Sequence, residues 1–204
     1  MNSFCNERVW AVFALLTVPV IADAQALPHV EPPKATLVLE DQFERKQDIA
    51  QFRGDVLVLL YGDRSGSSAN RALGETLHVR YHPSAKGKSP AEAAKAPATP
   101  VPDLKEGMRS PDVRVVPVAC IDKAPDVMKP FIRGRFKKDA PDTVVLLDFD
   151  NKMKEQFGMR EGEPNLVVID ALGRVRMKVG GELDQITYTR LLQAVDYLRR
   201  EGAR

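Results

Sequence analysis

The sequence predicts an α/β fold built around one buried strand that leads directly into a helix. Residues 56–61 (Val-Leu-Val-Leu-Leu-Tyr) form an apolar run of the kind that lies in a sheet covered on both faces by helices. A polar turn follows, after which Ala69, Leu73 and Leu77 recur every four residues and predict a helix with one apolar face. Strand and helix patterns continue to alternate along the chain. A mixed central sheet with helices on both faces is therefore expected.

Residues 1–24 are predicted to be a secretory signal peptide. Arg8 precedes an apolar stretch at 9–21, and small residues that suit cleavage follow it. The stretch is shorter than the roughly 20 residues that a membrane span needs. The prediction is an exported protein, periplasmic or secreted, without a transmembrane span. Because Glu7 weakens the positive amino-terminal region, an uncleaved amphipathic anchor is the alternative.

Residues 25–35 contain three prolines and are predicted to be an extended linker in front of a single domain at 36–202. Roughly 180 residues remain after cleavage, which is enough for one domain with its own core. The 30 Lys and Arg residues nearly balance the 28 Asp and Glu residues, and the net charge is +2. This balance argues against nucleic acid as a partner.

Beyond the first helix, one segment interrupts the regular pattern. Residues 82–111 are rich in Pro, Ala and Lys and show no periodicity, which predicts a flexible insertion after the first core helix, with 84–110 disordered or poorly packed. Regular patterns then return. They predict strands at 113–121, 143–147, 165–170 and 174–179, and helices at 126–138, 152–157 and from Asp184 onward. Pro130 and Gly134 interrupt the first of these helices, which is therefore expected to be kinked or in two pieces.

Three motifs, in this order and spacing, resemble the thioredoxin-like fold and its redoxin branch, meaning peroxiredoxins and envelope proteins of the TlpA and ResA kind. They are the strand and turn at 56–68, the segment 145–159 with its Leu-Leu-Asp and Phe-Gly-Met elements, and the segment 163–175 with its Pro-Asn and Ile-Asp elements. The resemblance implies a thioredoxin-like sandwich with an extra strand and helix. It also implies that Pro164 follows a cis peptide bond and faces the turn at 65–68.

The resemblance places Ser65-Gly66-Ser67-Ser68 where the family has its Cys-x-x-Cys motif. Thiol–disulfide exchange needs a thiolate, and a serine hydroxyl cannot replace it. The leading prediction is an exported protein that lacks the redox dithiol, needs no cofactor and binds a protein or peptide partner of the cell envelope through the former active-site edge. The competing interpretation is that the serines only cap the helix.

Cys120 would be the only cysteine left after removal of the signal peptide, because the other one is Cys5. It ends the strand predicted at 113–121 and should emerge at the same sheet edge as the serines. A thiol-dependent antioxidant or peroxidase that uses Cys120 is therefore the alternative function. The competing interpretation is an inert buried thiol, since free cysteine is often part of a core.

Two further clusters carry weaker predictions. His78 and His82 are spaced to share a helix face and could bind a metal, although Pro83 should end the helix there. Together with Cys120 they make an envelope metal-delivery protein a third hypothesis. A basic cluster predicts either a solvated helix surface or contact with an anionic membrane or partner. Its members are Lys129, Arg133, Arg135, Lys137 and Lys138.

Overall fold

The computed structural model describes residues 31–203, so the predicted signal peptide at 1–24 and the first part of the predicted linker lie outside the described residues. Between residues 31 and 203, none of the helices combines the length and apolar character that crossing a membrane requires.

A seven-stranded mixed sheet forms the centre of the domain, with the strand order β2-β1-β5-β4-β3-β6-β7. The central strand β3 pairs in parallel with β4 and antiparallel with β6, which confirms the predicted mixed sheet. The strands are β1 (Val38–Asp41), β2 (Lys46–Asp48), β3 (Val56–Gly62), β4 (Val113–Cys120), β5 (Leu146–Asp148), β6 (Asn165–Ile169) and β7 (Val175–Gly180).

Helices cover both faces of this sheet. The helices are α1 (Ser67–Tyr81), α2 (Pro90–Ala93), α3 (Lys129–Asp139), α4 (Lys152–Phe157) and α5 (Gln185–Gly202). Successive side chains of β3 point to opposite faces, as the period of a strand requires. Val56, Val58 and Leu60 pack against α1 and α5, whereas Leu57 and Leu59 belong to the core beneath α4. This burial on both faces explains the continuous apolar run.

The segment 82–111 contradicts the expectation of poor packing. Pro83–Ala85 and α2 form short helical turns, and Ala85 and Val101 are buried. The backbone N–H of Thr99 donates to the Tyr81 carbonyl oxygen over 2.8 Å. An aperiodic segment can still be ordered when its backbone groups find partners.

Two arginines, Arg199 outside the segment and Arg109 within it, tie the segment to the rest of the domain. Arg199 of α5 donates to the carbonyl oxygens of Thr99 (2.6 Å) and Pro111 (2.9 Å). Arg109 donates to the Asp55 carboxylate over 2.6 Å. The segment is therefore fastened to the domain by polar contacts, which its composition does not reveal.

Helix α3 also differs from its prediction as a kinked or two-piece helix. A short 3-10 turn at Asp126–Met128 leads into one continuous helix. Pro130 lies in the first helical turn, where a missing N–H breaks no intrahelical hydrogen bond. Gly134 continues the helix without interruption.

Candidate functional site

The candidate site is the turn between β3 and α1, and the Asp63 carboxylate organises it. One oxygen of Asp63 accepts from the backbone N–H groups of Ser65 (2.8 Å) and Gly66 (3.0 Å), while the other accepts from Gly162 N–H (2.7 Å). The hydrogen bond from Gly162, followed by that from Gly66, lowers the pKa of Asp63. An ionised carboxylate therefore fixes the turn and ties it to the loop before β6.

The three serines lie on the solvent side of this turn. Ser65, Ser67 and Ser68 are exposed, whereas Gly66 is buried. Helix α1 begins at Ser67, and the N-cap is Gly66, so no side chain caps the helix. The predicted capping by serine is therefore wrong, because Asp63 binds the turn's N–H groups instead. Within residues 31–203 no hydrogen bond is formed by the hydroxyl of Ser65 or Ser68, which leaves both available to a ligand in solvent.

The loop before β6 faces the turn, but not through a cis peptide bond. The bond between Glu163 and Pro164 is trans, so the predicted cis-proline is wrong. The close contact is made by the Glu163 backbone, since a Cβ atom added to Gly66 would lie 2.6 Å from the Glu163 carbonyl oxygen. Only glycine fits at that approach.

Asn165 is the physical reason for this loop geometry. Its side-chain oxygen accepts from Arg160 N–H (2.8 Å), and its side-chain nitrogen donates to the carbonyl oxygens of Arg160 (3.0 Å) and Glu163 (2.9 Å). Asn165 is itself buried. The loop is therefore closed on its own backbone with the trans bond in place.

Cys120 reaches the same sheet edge, as predicted, because its neighbour Ala119 pairs with Gly62 of β3. Its side chain is buried in the core with Tyr61, Met153 and Phe157. Burial, followed by the nearby charge of Asp148, raises the pKa of the Cys120 thiol to about 12. A thiol that stays protonated at neutral pH is a poor nucleophile, so this environment is that of a structural cysteine.

The two histidines serve the fold rather than a metal. The His82 ring nitrogens lie 2.8 Å from an Asp112 carboxylate oxygen and 3.1 Å from the His78 carbonyl oxygen. The His78 ring stacks on that of His82 and places Nε2 3.0 Å from the Ala93 carbonyl oxygen. No group of three or more potential His, Cys, Asp or Glu ligands occurs between residues 31 and 203. Both histidines of the metal hypothesis therefore form hydrogen bonds that hold the end of α1.

Sequence reasoning missed Asp63 and Asn165, the two side chains that shape the site. An aspartate two residues before Ser65, in a run ending in Gly-Ser-Ser, is the pattern of a side chain that hydrogen-bonds the backbone two residues on. That signal was available. The contacts of Asn165 depend on a loop geometry that no local pattern specifies.

No protein-family model and no curated protein sequence matches this chain. Solved structures do match. Thioredoxin-like superfamily protein SPOA0173 is 14% identical with a TM-score of 0.51, and the match covers 84% of this chain and 100% of that one. The exposed lipoprotein thioredoxin (Etrx1) of Streptococcus pneumoniae is 17% identical with a TM-score of 0.50, and the match covers 78% of this chain and 99% of that one. A putative thioredoxin of Neisseria meningitidis is 17% identical with a TM-score of 0.50, and the match covers 83% of this chain and 91% of that one.

These matches confirm that the chain has a thioredoxin-like fold, as the three motifs predicted. The fold itself hosts many activities, so the function must be argued from the site.

Proposed function

We propose that this protein is an exported thioredoxin-like protein that binds a protein or peptide partner of the cell envelope through the turn at 63–68 and does not exchange disulfides. One observation carries the proposal. The turn and helix N-terminus that follow the central strand present the exposed side chains of Ser65 and Ser68 and no thiol, and Asp63 fixes the turn through the backbone N–H groups of Ser65 and Gly66.

The chemistry of exchange supports the negative half of the proposal. A dithiol reductase needs one thiolate to attack a disulfide and a second sulfur to resolve the mixed disulfide. Ser65 and Ser68 carry hydroxyls, and Cys120 is buried with its pKa raised to about 12. The same burial argues against a peroxidase that uses Cys120.

The geometry of the turn supports the binding half. Serine hydroxyls both donate and accept hydrogen bonds, so Ser65 and Ser68 can pair with the polar groups of a peptide. Asp63 joins the turn to the facing loop, so the turn is already ordered before a partner binds. Binding therefore costs little conformational entropy of the turn. Export rests on the predicted signal peptide, and the name of the pneumococcal neighbour, an exposed lipoprotein thioredoxin, agrees with it.

Insulin reduction with dithiothreitol tests the absence of exchange. The wild-type chain should not accelerate the reaction beyond the reagent's own rate. The double variant Ser65→Cys/Ser68→Cys should accelerate it, because two sulfurs then occupy one helix N-terminus. The single variants Ser65→Cys and Ser68→Cys are matched controls that add one thiol and cannot resolve a mixed disulfide. Robust activity of the wild-type chain that Cys120→Ser abolishes would refute the proposal.

Site-specific photo-crosslinking in cells tests the binding. A photoreactive residue at position 65 should give a discrete crosslinked adduct in the cell envelope. The same residue at position 76, an exposed threonine of α1 eleven residues further along, is the matched control and should give none. Equal adducts at both positions, or none at position 65, would contradict binding through this turn.

A further inference from the structure

The outer side of α3 carries an apolar surface that the fold does not use. Val127 and Phe131, which are 84% and 72% exposed, have the most exposed large apolar side chains among residues 31–203. They are four residues apart and therefore project from the same side of the helix and the turn before it. Met128, 45% exposed, adjoins them.

These side chains do not belong to the core, because α3 packs on the core through a different side of the helix. Ile132 and Phe136 pack against the cluster formed by Val145, Leu147 and Phe149. The spacing of the helix places Phe131 away from that inner side. The apolar surface thus faces solvent with no partner in the described part of the chain.

Positive charge is concentrated beside this surface. Residues 126–139 contain five basic residues against two acidic ones, a net charge of +3, whereas the whole chain carries +2. Arg135 and Lys138 lie four and seven residues after Phe131 and share its side of the helix. Arg135 makes only a 3.4 Å contact with the exposed Asp139, and Lys138 forms no ion pair within residues 31–203. Both charges are therefore available to an external anion.

We propose that the surface formed by Val127, Met128, Phe131, Arg135 and Lys138 docks the protein on a membrane that carries anionic headgroups. Apolar side chains on a helix flanked by lysine and arginine are the composition of segments that lie in the membrane interface. The aliphatic and aromatic groups enter the boundary between headgroups and acyl chains, while the basic groups face the anionic headgroups.

Charge and shape favour a membrane over the other occupants. A second copy of the chain would oppose basic residues to basic residues, which disfavours self-association. An acidic protein could neutralise Arg135 and Lys138, but it would need a pocket that matches projecting Val127 and Phe131. A fluid interface accepts such side chains without a matched pocket.

A tryptophan reporter tests insertion at this site in the full-length chain. Trp10 is the only tryptophan, so the variant W10F/F131W carries a single indole at position 131. Its emission should shift to the blue on vesicles of phosphatidylcholine with about a third phosphatidylglycerol, and not on phosphatidylcholine alone. The variant W10F/Y197W is the matched control, because Tyr197 is 58% exposed on α5. It should show no shift. Because the reporter is local, membrane contact by residues 1–24 cannot produce this result.

Charge variants in the W10F/F131W background complete the test. The pair R135Q/K138Q should weaken binding to the anionic vesicles about thirtyfold, since each basic residue near an anionic surface contributes about 1 kcal/mol of attraction. The pair K86Q/K95Q removes two exposed lysines of the 82–111 segment and should leave binding unchanged.

Three results would overturn the proposal. They are no blue shift at position 131, an equal shift on neutral vesicles, and binding that R135Q/K138Q does not weaken. A blue shift produced by an acidic polypeptide such as polyglutamate, but not by vesicles, would instead assign the surface to a protein partner. Dimers formed through position 131 would assign it to a second copy.

Discussion

Replacing Gly66 by alanine should destabilise the protein by pushing the candidate site apart. The added Cβ atom would lie 2.6 Å from the carbonyl oxygen of Glu163 and 2.9 Å from its carbonyl carbon. Both are backbone atoms, so neither can rotate out of the way. The loop that carries them is held by the side chains of Asp63 and Asn165. Relief of the clash therefore requires displacement of the turn or of the loop.

The magnitude follows from the kind of contact. Forcing extra atoms into a well-packed site usually costs about 1–3 kcal/mol. Gly66 has a φ of −79°, which alanine adopts without strain, so the clash alone supplies the cost. For a domain of this size, that loss corresponds to a fall in the melting temperature of about 2–12 °C.

Urea unfolding measures the change, and Gly134→Ala is the matched control. Gly134 lies within α3, and a Cβ atom added there would have no neighbour within 4 Å. Alanine at this position should raise the free energy of unfolding by about 0.5–1 kcal/mol, because it loses less backbone entropy in a helix than glycine does. If Gly66→Ala unfolds at the same urea concentration as the wild type, the contact with Glu163 is not rigid and the reasoning fails.

Three further outcomes are expected. The fold lowers the pKa of Asp63, so the stability that this carboxylate contributes is complete above the unfolded pKa and is lost as the pH falls through the folded pKa. Asp63→Asn should therefore lower the urea midpoint at neutral pH and make the midpoint decline less steeply in acid. In a Cys5→Ser chain, Cys120 should react with a thiol reagent only after unfolding, and rapid labelling of the native chain would contradict its burial. Arg199→Ala should cost about 1–3 kcal/mol by leaving two carbonyl oxygens unpaired, and limited proteolysis should then cut 83–111 sooner than in the wild type.

The sheet was predictable because its central strand is buried on both faces. Each residue of 56–61 must be apolar in that environment, so the run predicts β3 within one residue of its observed end. The final helix was predictable for a related reason. Asp184 accepts from Thr187 N–H at its start, and Leu191, Val195 and Leu198 repeat on the face that is buried. In both elements the local pattern and the tertiary environment agree.

The insertion and the proline loop were not predictable, because contacts that exist only in the folded structure decide them. The segment 82–111 is held by Arg199, which is 100 residues from its partner Thr99. Composition shows how much apolar surface a segment can bury, but it does not show hydrogen bonds from an arginine to the segment's backbone carbonyls. The trans bond before Pro164 accompanies a loop closed by Asn165, whose partners are fixed by the folded loop.

The position of Asp63 determines which side of the candidate site a partner can reach. Its two carboxylate oxygens accept from the N–H groups of Ser65, Gly66 and Gly162, so these three donors are not free to bind an external anion. An anionic ligand would also meet the charge of Asp63 itself. The exposed hydroxyls of Ser65 and Ser68 remain accessible to a partner. A neutral or basic peptide segment that pairs with serine hydroxyls is consequently the partner that this site accommodates best, and the crosslinker belongs at position 65.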